Sequence, residues 1–271
     1  MKLIVILCFI GSAAIAHPGI GIVEDSRGNI FYTDLTKVWK VTPDGRKSIA
    51  VPDVHTHELF LDESDNLFGE HLWYNGEAKN TWGHYAWKLT KDGTFQKVIP
   101  DTAGFLEDED YSFVRDHFGR MYLADRDDKK CQHIVRKNAD KSKTVLTDEC
   151  LGNVRWMTSS KDGVIYLVDE HDLKKVNAQG KISKLGQITT EYAGAPTLDK
   201  RNNIYIADYS GKKVTRIAAD GTRKVVFETP FPWGPMALIV AKNGDYVVLE
   251  TSVTNTVRVE RISADKKTVV Y

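Results

Sequence analysis

The sequence predicts an all-β fold, a six-bladed β-propeller of four-stranded antiparallel blades. Two observations carry that prediction. A turn-plus-strand motif recurs six times, reading SRGNIFYTD, ESDNLFGEH, DHFGRMYLAD, SKDGVIYLVD, KRNNIYIAD and AKNGDYVVLE. Each copy is followed by a two-strand segment with a Gly, Asp or Asn turn at its centre, as in KVWKVTPDGRKSIAV and KVTRIAADGTRKVVF. No amphipathic helical period separates the copies. Anchored on Gly28, Asp65, Gly119, Gly163, Asn202 and Gly244, the copies recur every 37 to 54 residues, which is the spacing of propeller blades.

Ahead of the first blade, residues 1–16 have the form of a secretory signal: Lys2, an apolar run from Leu3 to Ile10, then Ala14-Ile15-Ala16 as an A-x-A cleavage site. Cleavage after Ala16 makes His17 the new amino terminus and leaves 17–271 as one propeller domain. The apolar run is shorter than the ~20 residues that cross a bilayer, and nothing later reaches that length. A secreted or periplasmic protein without membrane insertion is therefore expected. The 37 basic and 37 acidic side chains cancel, so no net field recruits nucleic acid. The expected partner is a small-molecule ligand or an extracytoplasmic protein.

Blade 3 contains both cysteines that survive cleavage, Cys131 and Cys150. The segment between them reads as two alternating runs joined by a polar turn. A hairpin centred near Asp140 and Lys141 places the cysteines opposite each other, within reach of a disulfide, and export permits the oxidation.

The innermost strand of each blade begins, and the second strand ends, on one face of the ring, which makes that face the default site. The inner-strand position there falls on Ile20, His57, Tyr111, Arg155, Gly194 and Met236. The second-strand position falls on Asp34, His71, Asp125, Asp169, Asp208 and Glu250. Repetition of the carboxylate from blade to blade points to loop capping. Blade 2 departs at both positions, with His57 and His71, and adds His55 and His84 next to the extended loop HLWYNGEAKNTWG. Converging imidazoles suit copper or zinc. A free amino-terminal His17 can chelate through amine and ring, and Met236 offers a thioether, so His17, His57, His71 and Met236 are the candidate metal ligands. Glu58, Glu70 and Tyr111 are candidate polar or acid–base contacts, and Arg155 a candidate anchor for an anion, with His55 and His84 beside them. Structural roles for these histidines, within the loop, stand as the alternative.

The stretch GAPTLDKRNNIYIADYSGKKVTRIAADG resembles an NHL repeat, and residues 18–271 as a whole resemble the NHL and gluconolactonase-like (senescence marker protein-like) propellers. That resemblance implies the same fold. It also implies, for the lactonase branch, a divalent cation, usually calcium, held by Glu, Asn and Asp at the inner-strand mouth to polarise a lactone or ester carbonyl. In this chain VRWMTSSKDG carries Arg155 and GPMALIVAKNG carries Met236 where that pattern has Asn and Asp, so an oxygen-rich calcium cage is missing. Calcium is accordingly the less expected ion. Three functions remain open: a binding propeller for a small ligand or transition metal, a metal-dependent lactonase or esterase, and a copper redox enzyme using His17.

Overall fold

The computed structural model describes residues 19–104, 111–188, 193–263, 265 and 268–271. The signal segment, His17 and Pro18 lie outside the described residues. Among the described residues the chain forms six consecutive antiparallel sheets, spanning 22–51, 59–103, 121–145, 154–187, 197–228 and 233–270. Five have four strands in simple sequence order, each strand bonded to the next. Blade 3 has three, and the innermost place is taken by a single bridge, Arg115 to Met121, with the Tyr122 amide donating to the Val114 carbonyl at 3.0 Å.

The repeat has one local cause. All six anchor residues adopt a left-handed backbone, from φ 58° at Asn202 and 60° at Asp65 to 89° at Gly244. That conformation closes the turn between the first and second strands and is the reason Gly, Asp or Asn recurs there. In four blades an aspartate three residues before the anchor completes the turn. Asp25, Asp62, Asp116 and Asp199 each accept two backbone N–H groups, two and four residues on. In blade 4, Ser160 accepts the Val164 amide in the equivalent place.

Packing then builds the ring. Both faces of a blade are covered by neighbours, so second strands are buried on alternate as well as consecutive residues, as in Ile165–Asp169 and Ile204–Asp208. Six apolar clusters fill the six junctions between blades. Tyr32, Ile20 and Ile22 meet Met236, Val247 and Leu249 between blades 1 and 6, while Phe31, Val38 and Val51 meet Leu67 and Trp87 between blades 1 and 2. Tyr122 and Ile134 meet Ile165 and Leu167 between blades 3 and 4. The ring therefore closes by side-chain packing with no strand exchanged between the terminal blades among the described residues. The Lys242 amide, donating to Glu24 Oε2 at 2.7 Å, and Tyr271, whose ring lies against Gly45, add to that seam.

The disulfide expected between Cys131 and Cys150 is formed, with Cα atoms 5.3 Å apart. The outer hairpin of blade 3 is centred on residue 140, with Val135 opposite Val145 and Lys141 in the left-handed turn. The bond fastens the end where Gln132 and Leu151 pair. No helix among the described residues is long and apolar enough to cross a membrane. That absence and the disulfide are compatible with an extracytoplasmic location.

Candidate functional site at the blade 1 and blade 2 junction

Blade 2 differs from its siblings in length. Its second and third strands run over Leu67–Tyr74 and Trp82–Leu89, so the segment read from sequence as an extended loop is part continued hairpin and part loop at 75–81. Cross-strand pairs explain the continuation: Trp73 sits opposite Gly83, with its ring over the space a β-carbon would fill, and Tyr74 opposite Trp82. His71 and His84 thus stand on strands.

The segment His55–His57 is held from both sides. The His57 carbonyl accepts the amides of Ile20 and Gly21 at 2.9 and 2.8 Å, and the Thr56 carbonyl accepts the Thr33 hydroxyl at 2.7 Å, all from blade 1. From blade 2, the Leu72 amide donates to the His55 carbonyl at 3.1 Å, and Thr56 Oγ1 bonds the Glu70 carbonyl. The Trp87 indole donates to that same Glu70 carbonyl at 2.7 Å. Leu35, in a left-handed conformation at φ 68°, bonds the His55 ring through its backbone. A branched, non-glycine residue there stores strain of about 1–3 kcal/mol.

On this frame, His57 Nδ1 lies 3.0 Å from Glu70 Oε1. A carboxylate there accepts the Nδ1 proton, which fixes the tautomer and leaves the Nε2 lone pair outward. The His57 side chain is 21% exposed and the Glu70 side chain 10%, so the pair is sheltered but reachable. His55 packs edge-on against His57 at 4.7 Å. His71 is held differently: its Nδ1 accepts the His55 amide at 2.8 Å, and its ring lies over Trp73 and against Tyr85. A neutral His71 therefore carries its proton on Nε2 and presents a donor. Burial pulls the pKa of both His55 and His71 down, helped by the neighbouring His57 and His55 respectively, so both rings are neutral at neutral pH. His84 is buried, with Nδ1 on the Gly104 carbonyl at 2.9 Å.

The structure thus brings His55, His57, Glu70 and His71 together and separates the other candidates from them. Met236 is 6% exposed, packed in the apolar cluster with Ile20, rather than presenting its thioether at the mouth. Tyr111 is 8% exposed, with its ring against Phe113, and burial pushes its phenol pKa up. Gly194 is wedged where a β-carbon would meet the Met236 carbonyl at 1.8 Å. Glu58 lines the central channel. The side chain of Arg155 lies outside the described part, as does His17. The donors at the inner-strand mouth do not fit calcium, which takes six to eight oxygens. Among the described residues, three ligand atoms within 4.8 Å of one another occur at Asp127, Cys131 and His133, where the sulfur is already in the disulfide.

Three of the five second-strand carboxylates act as caps, while the buried Glu250 instead pairs with Arg258 Nε at 2.6 Å. Asp34 Oδ1 accepts the amides of Thr36 and Lys37, and its Oδ2 the Trp39 indole; Asp169 accepts the amides of Gly152 and Asn153; Asp208 accepts that of Gly211. The channel itself holds a cavity of about 460 Å³, bounded by the inner strands and by Phe113–Arg115 of blade 3. Its lining includes Arg115, a residue with no counterpart among the mouth positions read from sequence.

No family model and no curated protein matches the chain. Solved structures do. A gluconolactonase from Xanthomonas campestris is 12% identical, with 85% of this chain and 83% of that one covered at a TM-score of 0.59. A glucose dehydrogenase is 10% identical over 90% and 96% at 0.60, and a streptogramin B lyase 17% identical over 93% and 82% at 0.50. Those names cover three different activities on one scaffold, so the likeness shows the six-bladed propeller fold and nothing about what this chain does.

Proposed function

We propose that this chain is an exported propeller that binds a small ligand at the channel mouth through His57. The observation that carries this reading is the His57–Glu70 pair, 3.0 Å apart, on a backbone segment fastened to two blades. Such support costs nothing at the moment of binding, because the ring is already oriented. Neutral His55 adds a second acceptor-capable ring beside it.

A copper or zinc ion is the second reading, favoured by one observation. A carboxylate behind Nδ1 is the outer-shell arrangement that orients metal-bound imidazoles and raises their basicity. If the protein is instead a hydrolase or lyase like its structural neighbours, the same geometry makes His57 Nε2 the base and Glu70 its orienting partner.

Elemental analysis of protein processed to begin at His17, alongside a His57→Ala variant, separates these. Near-stoichiometric copper or zinc, lost in the variant, supports the metal reading. Without metal, a thermal-shift screen of uncharged lactones and esters should give stabilising compounds whose effect disappears in His57→Ala. Stabilisation that persists in the variant overturns the site.

A further inference from the structure

At the opposite end of the channel a second ring of equivalent positions closes each inner strand, just ahead of the first turn: Glu24, Leu61, Arg115, Ser159, Leu198 and Val240, all lining the cavity. Arg115 is the one cation in that ring. Its Nε donates to the Ser112 carbonyl at 2.9 Å, and its backbone carbonyl accepts the Ser159 hydroxyl at 2.7 Å from the next blade. The guanidinium carbon lies 4.6 to 5.5 Å from the ring centroids of Tyr111, Phe60 and Phe68.

Arg46, Arg120, Arg258 and Arg261 pair with carboxylates, whereas Arg136, Arg216 and Arg223 bond amide or backbone oxygens. Arg115 makes no described ion pair. Glu24, in the same ring, stands two blades away and accepts the Lys242 amide. Glu24, Glu58 and Lys242 line the same cavity, but none of them pairs with Arg115 in a described ion pair, so its half-buried, stacked guanidinium is left to receive an anion. Phe60, Phe113, Ile22 and Met157 supply apolar wall beside Arg115, and about 460 Å³ falls in the range of small-ligand sites.

We propose that this end of the channel is a second binding site, in which Arg115 takes the carboxylate of a small organic acid whose apolar body lies along Phe60, Phe113 and Met157. The site stands on observations independent of His57.

The test is calorimetric titration of the full chain with phenylacetate and hexanoate, set against their uncharged amides, phenylacetamide and hexanamide. Saturable binding of the acids, at least tenfold weaker for the amides, is expected. Arg115→Gln should lose at least tenfold in affinity, Arg115→Lys should lie between, and His57→Ala should leave binding unchanged. Equal binding of acids and amides, retention in Arg115→Gln, loss in His57→Ala, or no binding of either acid overturns the proposal. Should Arg115→Gln fail to fold, the acid-to-amide comparison on the unaltered chain decides alone.

Discussion

At the scale of single residues, the chemistry of the blade 2 histidines depends on a proton position. Glu70 holds the His57 proton on Nδ1, whereas the His55 amide holds the His71 lone pair on Nδ1, so two histidines from one blade present opposite faces outward. Glu70→Gln keeps the shape but removes the charge that sustains this arrangement. It should weaken zinc or ligand binding at His57 by about 10- to 100-fold, the usual cost of an outer-shell change, with an unaltered melting temperature. Titration calorimetry and a thermal melt, run side by side, check both halves. A variant that binds as the parent does removes Glu70 from the site. His57, His71 and His55 were legible as candidates from blade 2's departure from its siblings, and Glu70 as a possible polar or acid–base contact. Met236 and Tyr111 were misplaced, because alignment fixes a residue's height along the channel but not whether its side chain turns toward the lumen or into a junction between blades. Arg115 went unread because only the histidine-bearing face was aligned.

At the scale of elements, the repeated turn is the unit of stability. Asp199 accepts the Arg201 and Asn203 amides, the Asn203 side-chain amide and the Tyr205 hydroxyl. Partial burial raises its pKa, but those donors outweigh burial and hold it below the ordinary value. The folded carboxylate is thus the stronger acid, and the unfolded chain takes up the proton first. Its contribution is present above the ordinary aspartate pKa near ~4 and is lost as pH falls through the folded value. Asp199→Ala should cost about 1–2 kcal/mol at pH 7, and urea titrations at pH 7 and pH 3 should show the gap between variant and parent narrowing in acid. A gap that is constant across that range rules out the linkage. These turns are why the blades could be counted from sequence: the left-handed anchor tolerates few residue types. That a single bridge takes blade 3's innermost place among the described residues was not legible, since DHFGRMYLAD carries the same turn and second strand as its siblings.

At the scale of the molecule, blade 3 is the least regular sheet, and the disulfide compensates there. The bond joins positions 19 apart, a loop whose closure stabilises by about 3 kcal/mol through the unfolded chain. A double Cys131→Ser, Cys150→Ser variant should shift the urea midpoint down accordingly, while parent protein treated with reductant should converge on the variant's curve. Coincident curves for the oxidised parent and the variant would remove the bond from the stability account. The cysteine pairing was readable because both partners lie within one hairpin. The ring's closure was not, since it rests on packing between distant segments.

That packing between blades 1 and 6 sets an order of events for a chain made from its amino terminus. Junctions between consecutive blades join neighbours in sequence and can be buried as synthesis proceeds. The contact from Lys242 to Glu24 spans 218 positions, so Ile20, Ile22 and Tyr32 keep an apolar face uncovered until blade 6 has emerged. Blade 1 supplies that face with Tyr32 and, one residue on, reaches the His57 segment with Thr33. The blade that anchors the histidine segment is therefore completed only when the last blade docks against it.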